Sequence, residues 1–248
     1  MTTPPRSRHR QPQYLVNASA GASPTRPDTE RSAVLDFLEF VWSRRDDVLT
    51  LGVQHVWLVA LSVALSSTLG VLLGVLSYRR PGARRAVLAV TGAFLTIPSF
   101  ALFVLLLGLV GLGTTPVVMA LTLYGLLPVV RNTITGLLQV DPAVVESALG
   151  MGLSRRQRLL RIELPLAWPI VLTGIRVSTV VLVGIAAIGA IVNGPGYGNL
   201  IFNGLARVGS PVAADLVLAG TLGVVVVAVL FDAAYTVLGR LTTPKGLR

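Results

Sequence analysis

The sequence predicts an all-α protein that crosses a membrane five times, and three observations carry that expectation. Of its 248 residues, 53% are hydrophobic and only 13% charged, outside the range of an ordinary soluble domain. Five apolar runs, over 53–78, 86–112, 116–138, 166–192 and 212–238, each reach the roughly 20 residues that a helix needs to cross the hydrocarbon core. Arginines gather between these runs and do not spread over one face, so the net charge of +10 reads as membrane topology and not as a nucleic-acid surface. With no cysteine, the chain lacks disulfides, thiolate chemistry and cysteine-held metals, and its two histidines, His9 and His55, are too few for a histidine cluster.

Ahead of the runs, residues 1–33 mix Pro4, Pro5, Pro12, Pro24 and Pro27 with Ser, Thr and Arg. They read as a disordered tail without a signal peptide, because only Tyr14, Leu15 and Val16 follow the basic start. Over 34–52, apolar Leu35, Phe37, Leu38, Val41 and Trp42 interleave with Asp36, Glu39, Arg44, Arg45, Asp46 and Asp47. That pattern suits an interfacial amphipathic helix and a solvated linker about equally. Residues 53–240 read as one transmembrane domain, with 241–248 as a short tail.

In the first span, Gly70 and Gly74 have the spacing that lets helix backbones approach, and His55 reads as an interfacial residue at the span's start. Pro98, between Ile97 and Ser99, removes a backbone donor and predicts a kink in a single second span; two separate passes would each fall short of spanning length. The third span ends on Pro128, Arg131, Asn132 and Thr133, a set that fits a gate or an ordinary polar helix end. Arg176 lies about eleven residues into the fourth run, where an ionisable group must snorkel or pair. It reads as a tether near the inner interface, or as a gate or partner of Asp232 in the fifth span.

Arg79, Arg80, Arg84 and Arg85 separate the first two spans, and Arg155, Arg156, Arg158 and Arg161 separate the third and fourth. The positive-inside bias puts both connections in the cytoplasm, together with Arg240, Lys245 and Arg248. The connections over 113–115 and 193–211 hold Arg207 as their one basic residue and face outward; an odd number of spans then places the N-terminus outside too.

The connection over 141–165 has start and stop signals of its own. Asp141 and Pro142 can open a helix that runs to about Leu149, and Gly150 and Gly152 stop it. Ser154 and Gln157 have capping-box spacing for a second helix running to Glu163, and Pro165 and Pro169 mark the entry to the fourth span. Val144, Val145, Ala148 and Leu149 form a small apolar face, and Glu146 sits in the first helix's N-terminal half, where the macrodipole tolerates an acid. A folded amphipathic insert in an aqueous connection reads as a docking surface.

Glu146, Ala148, Gly152, Ile162, Leu164 and Pro165 fall on the pattern E-A-A-x3-G-x9-I-x-L-P. In this the chain resembles the permease subunits of ABC importers, with one departure, Ser147 where the family usually has its first Ala. The resemblance implies the five-span core of the type I importer permease fold, like that of the methionine importer. It also implies that Glu146, Ser147, Ala148, Gly150, Gly152, Ile162, Leu164 and Pro165 form a coupling segment that docks on an ATP-hydrolysing subunit. Further stretches are similar to the osmoprotectant branch, which carries glycine betaine, carnitine, choline or proline. They are Gln54 and His55, Ile97 to Ser99, Gly111 to Gly113, Leu127 to Thr133 with Gly136 and Leu137, Gly174 to Arg176, and Leu241 to Gly246. Asn193 to Gly198 keeps glycines but loses the branch's regular GxGGLG pattern.

The implied partners are two ATP-binding cassette subunits, a second permease chain, the same or homologous, and an extracytoplasmic solute-binding protein, all in or on a bacterial inner membrane. Pro98, Ser99, Pro128, Arg131, Asn132, Thr133 and Arg176 are the candidates for a pathway or gate. The sequence contains no G-x4-G-K-[ST] phosphate loop, so ATP and magnesium belong to the partner and this chain holds no cofactor and no catalytic residue of its own. An importer of another small solute, such as an amino acid, is the second reading. An ion-driven secondary transporter comes behind it, because the sequence has no convincing internal repeat.

Overall fold

The computed structural model describes residues 26–242, with side chains from Val34 onward. Most of the expected tail, residues 1–25, and the end of the chain from 243 lie outside the described residues. The described residues up to Glu39 fall in one unit and those from Phe40 in a second, to which the helical bundle belongs. Every element among the described residues is helical.

Helix α1, Arg26–Ser43, begins earlier than the boundary expected at residue 34. Helix α2, Arg45–Ser77, opens with Asp46 and Asp47 in its first turn, where acids complement the macrodipole, and runs on through the first span. The expected interfacial segment over 34–52 is therefore divided at Arg44, and its second half is part of the spanning helix. His55 consequently lies well inside α2 and is fully buried against other helices. Its Nε2 is 3.2 Å from the Val183 carbonyl, and its ring centroid is 5.8 Å from that of Tyr197.

The second apolar run is not a gently kinked rod. It consists of α3, Pro81–Thr96, and α4, Ser99–Val110, inclined at 97° to each other. Pro98 has no N–H for the ladder, and its ring drives Ile97 out of the helical region, to ψ 129. The Ile97 carbonyl left over accepts from Tyr124 Oη at 2.8 Å.

Tyr124 belongs to α5, Thr114–Leu138, which continues unbroken through Pro128. Next come α6, Pro142–Gly150, and α7, Arg155–Arg158, then a π turn over Leu159–Glu163 that leads directly into α8, Leu164–Ile188. A 3-10 turn, Gly189–Val192, precedes α9, Gly198–Leu205, a short helix in what the sequence presented as a plain connection. The last helix is α10, Ala213–Thr242. Four of these segments, α2, α5, Arg155–Val192 and α10, are long and apolar enough to span, and the bent α3–α4 pair supplies the fifth run.

The core lies where α2, α5 and α8 pack on one another, with α3 and α4 against α5, and α10 against α8 and α9. Leu58 and Val59 of α2, Leu121, Val129 and Val130 of α5, and Val171 and Leu182 of α8 are fully buried there. Small residues allow the close approach. A Cβ at Gly70 would stand 2.8 Å from Val129, and one at Gly74 would stand 2.6 Å from Thr133. Gly125 is the three-helix crossing point, with Ser66 and Ser178 on either side and Ser178 Oγ donating to its carbonyl at 3.2 Å. Such packing suits a bundle in lipid, where apolar side chains gain little by leaving their surroundings for one another.

Candidate functional site

The connection between α5 and α8 is structured at every step. Asp141 caps α6 by accepting from the Ala143 N–H at 2.8 Å, and Pro142 occupies the first turn, where its missing donor is not needed. At the other end Gly152 takes φ +76, a left-handed conformation that favours glycine. The Leu153 N–H donates to the Ala148 carbonyl at 3.2 Å and the Gly152 N–H to the Leu149 carbonyl at 2.9 Å, the paired bonds of a Schellman turn. Gly150 is the last residue of α6, so Gly152 makes the turn. Ser154 and Gln157 then form the reciprocal capping box expected of them, with bonds of 3.3 and 2.9 Å.

Within this element α6 packs on α7 and buries Ala148 completely. Glu146 and Ser147 are exposed, and the Ser147 hydroxyl is engaged within its own helix, donating to the Ala143 carbonyl at 2.8 Å. Val144, Leu149 and Met151 stand 39%, 51% and 69% exposed beside them. The arrangement offers an apolar patch flanked by one carboxylate, on a helix whose two ends are both fastened.

The second helix of the insert does not stop at Glu163 as expected. It passes through the π turn, in which the Leu164 N–H reaches back five residues to the Leu159 carbonyl, and becomes α8. Pro165, which has no N–H to return, sits just beyond the turn. Ile162 and Leu164 are half-buried and Pro165 is exposed.

Glu163 was not among the residues the sequence singled out, yet it is the most connected side chain of the region. It is buried, and Tyr78 Oη donates to its Oε2 at 2.6 Å. Arg79 Nη2 and Arg158 Nε donate to its Oε1 at 2.8 and 2.5 Å. The guanidinium groups of Arg79 and Arg158 supply the opposite charge, and Tyr78 the further hydrogen bond, that a buried carboxylate requires. The only sequence signal was an acid placed among arginines.

The pathway candidates lie at the break before α4, on α5 and on α8. Asn132 donates to the Pro128 carbonyl at 2.8 Å, and Thr133 to the Val129 carbonyl at 2.8 Å, both within α5. Asn132 packs against Gly174 of α8 and Thr133 against Gly74 of α2, while Arg131 and Pro98 are exposed and Ser99 is half-buried. Arg176 forms a two-pronged pair with Asp232 of α10, Nε to Oδ1 at 2.6 Å and Nη2 to Oδ2 at 2.7 Å. The pairing with Asp232 is one of the readings left open for Arg176. It borders a cavity of about 320 Å³ that Tyr235, Thr236 and Arg240 also line.

The family described as "Binding-protein-dependent transport system inner membrane component" matches residues 66–243, from within α2 to the end of α10 and across the whole insert. This chain belongs to that family. A relative in Salmonella typhimurium, the osmoprotectant import permease protein OsmW, is 38% identical over 219 residues, which cover 86% of this chain and 100% of that one. OpuCB of Bacillus subtilis, a glycine betaine/carnitine/choline transport system permease protein, is 34% identical over 195 residues, covering 79% and 88%. Among solved structures, the inward-facing MetNI methionine ABC transporter matches with a TM-score of 0.71 at 22% identity, over 79% of this chain and 96% of that one, and shares the fold. The chain is thus a transmembrane permease subunit of a binding-protein-dependent importer, and the type I permease fold implied by the resemblance is the fold it has.

Proposed function

We propose that this permease forms part of the path by which an osmoprotectant enters the cell, a small quaternary ammonium or zwitterionic solute such as glycine betaine, carnitine, choline or proline. The names of the relatives support the solute class. The coupling role rests on one observation, the exposed apolar patch of α6 held rigid by a cap at each end. α6 docks on an ATP-binding cassette subunit that holds ATP and magnesium; Glu146, Ser147 and Gly150 face that partner, Ala148 and Gly152 shape the helix and its turn, and Ile162, Leu164 and Pro165 carry its movement into α8. Two such subunits, a second permease chain and an extracytoplasmic binding protein complete the importer. The connections rich in arginine, over 79–85 and 155–161, lie in the cytoplasm with the C-terminus, and the N-terminus lies outside. Exposed Arg131 and the Pro98–Ser99 break border the path, while Asn132 and Thr133 hold α5 against its neighbours. Arg176 serves as a neutralised strut through Asp232.

Uptake of labelled glycine betaine and choline tests this in cells that carry the complete system with the permease either native or Glu146→Ala. Glu146 is exposed and makes no side-chain bond among the described residues, so the variant should reach the membrane in normal amount. The expected result is native uptake of these solutes and uptake at least tenfold lower in the variant, roughly the loss of one charged interface contact. Unchanged uptake at equal membrane level would remove Glu146 from the coupling surface, and a native importer indifferent to both solutes would remove the osmoprotectant assignment.

A further inference from the structure

Glu163 receives donors from two parts of the chain that the sequence keeps far apart. Arg158 belongs to α7, inside the docking element, whereas Tyr78 and Arg79 form the turn between α2 and α3. One buried carboxylate thus fastens the insert to the ends of two helices at the bundle's edge. We infer that Glu163 is a positioning residue that carries movement of the docking element into α2 and α3, so that a push on α6 reaches the bundle by a second route besides α8. This inference rests on the docking function proposed for α6 and α7.

Local geometry supports the assignment. In an ordinary α-helix, residues five apart point about 140° away from each other around the axis, so Arg158 and Glu163 would not meet. The π turn over Leu159–Glu163 widens the coil and brings the two side chains together at 2.5 Å. Such turns are insertions in a helix that recur at functional sites. Here it lies at the joint between the docking element and α8, where a change in coil would turn one against the other. Bonds to charged groups are short and directional, and a carboxylate held by three donors has little freedom to move independently of them. A displaced Glu163 must therefore draw Tyr78 and Arg79 with it or break those bonds. Arg79 is the outer arm of the cluster, with 42% of its side chain exposed against 3% for Glu163. The link to α2 and α3 can consequently be cut without uncovering a buried charge, because Arg158 stays on Glu163.

The decisive comparison is made in the whole importer, reconstituted in vesicles with its ATPase and binding protein and supplied with labelled glycine betaine. The permease is native, Tyr78→Phe with Arg79→Gln, Glu163→Gln, or Arg79→Lys. Copurification of the ATPase reports docking, and solute taken up per ATP hydrolysed reports transmission. The expected result is normal copurification throughout, with uptake per ATP lower by roughly threefold to thirtyfold in the Tyr78 and Arg79 double variant and in Glu163→Gln. Arg79→Lys, which keeps the charge, should restore most of the native ratio. A purely structural role would lower the yield of complex and leave the ratio unchanged. An unchanged ratio in both the double variant and Glu163→Gln overturns the inference. If the double variant fails to assemble, Arg79→Gln alone decides by the same ratio. Failure of the native chain to bind the ATPase overturns the docking function itself, and that is read from copurification before any ratio is taken.

Discussion

Gly152 has φ +76 and no atom within 4 Å of the place a Cβ would occupy, so a side chain there meets strain and not collision. The left-handed conformation costs an L-residue about 1–2 kcal/mol. Helix α6 has only nine residues, too few to be stable alone, and depends on its caps. Gly152→Val should therefore loosen the end of α6, reducing ATPase copurification while leaving the thermal unfolding of the permease within a degree or two of native. A large drop in unfolding temperature would mean that the turn supports the bundle and not only the docking helix. Residue-level chemistry of this kind was legible in the sequence, because a cap and the group it satisfies lie within a few positions: Asp141 with Ala143, and Ser154 with Gln157. Glu163 was not legible. Its partners Tyr78 and Arg79 are brought to it by the packing of α2 beside α5 and α8, which no local spacing encodes. Arg176 lies between these cases: the need for a partner in lipid and Asp232 as a candidate for it were evident in the sequence, and the fold brings the two together.

Among the elements, the bundle's closest contacts depend on residues too small to draw attention. The Gly70 and Gly74 spacing signalled a helix contact, and Val129 and Thr133 of α5 are the groups that fill it. A leucine at Gly74 would have to displace Thr133, whose hydroxyl is already tied to the Val129 carbonyl. Gly74→Leu should therefore destabilise the permease by roughly 1–3 kcal/mol, the usual cost of overfilling a packed core. Gly82→Ala, with open space around it, should be neutral. Thermal unfolding in detergent or in lipid discs compares them, and equal unfolding temperatures would contradict the α2–α5 contact. Pro98 showed that the second run must be interrupted, but a missing donor does not set an angle. The turn of 97° also depends on Tyr124, which arrives from α5 to satisfy Ile97. α9 escaped notice because glycines and Asn193 surround a helix of eight residues, and it is held by packing on α10 more than by its own propensity. The π turn was hidden for a similar reason: Pro165 looked like a terminator, yet the ladder is rearranged before it and the helix continues.

For the whole molecule, composition and run length were enough to establish a multi-pass helical protein, and the spacing within the insert was enough to point to its family. What emerged only in three dimensions is the division of labour within one chain. The α6–α7 element presents an apolar patch that the described residues leave exposed, α8 is its direct continuation, and Glu163 ties the same element to α2 and α3. The central claim is that this patch is where the driving ATPase binds, and the natural absence of cysteine makes a direct test straightforward. A single cysteine at Met151, 69% exposed, or at Val208, 79% exposed near the other end of the bundle, is labelled with a photoactivated crosslinker in membranes holding the complete importer. Met151→Cys should give a permease–ATPase product after illumination and Val208→Cys should not. A product from Val208→Cys alone, with both sites labelled equally, would contradict the assignment of α6 as the docking helix and reverse the proposed orientation in the membrane.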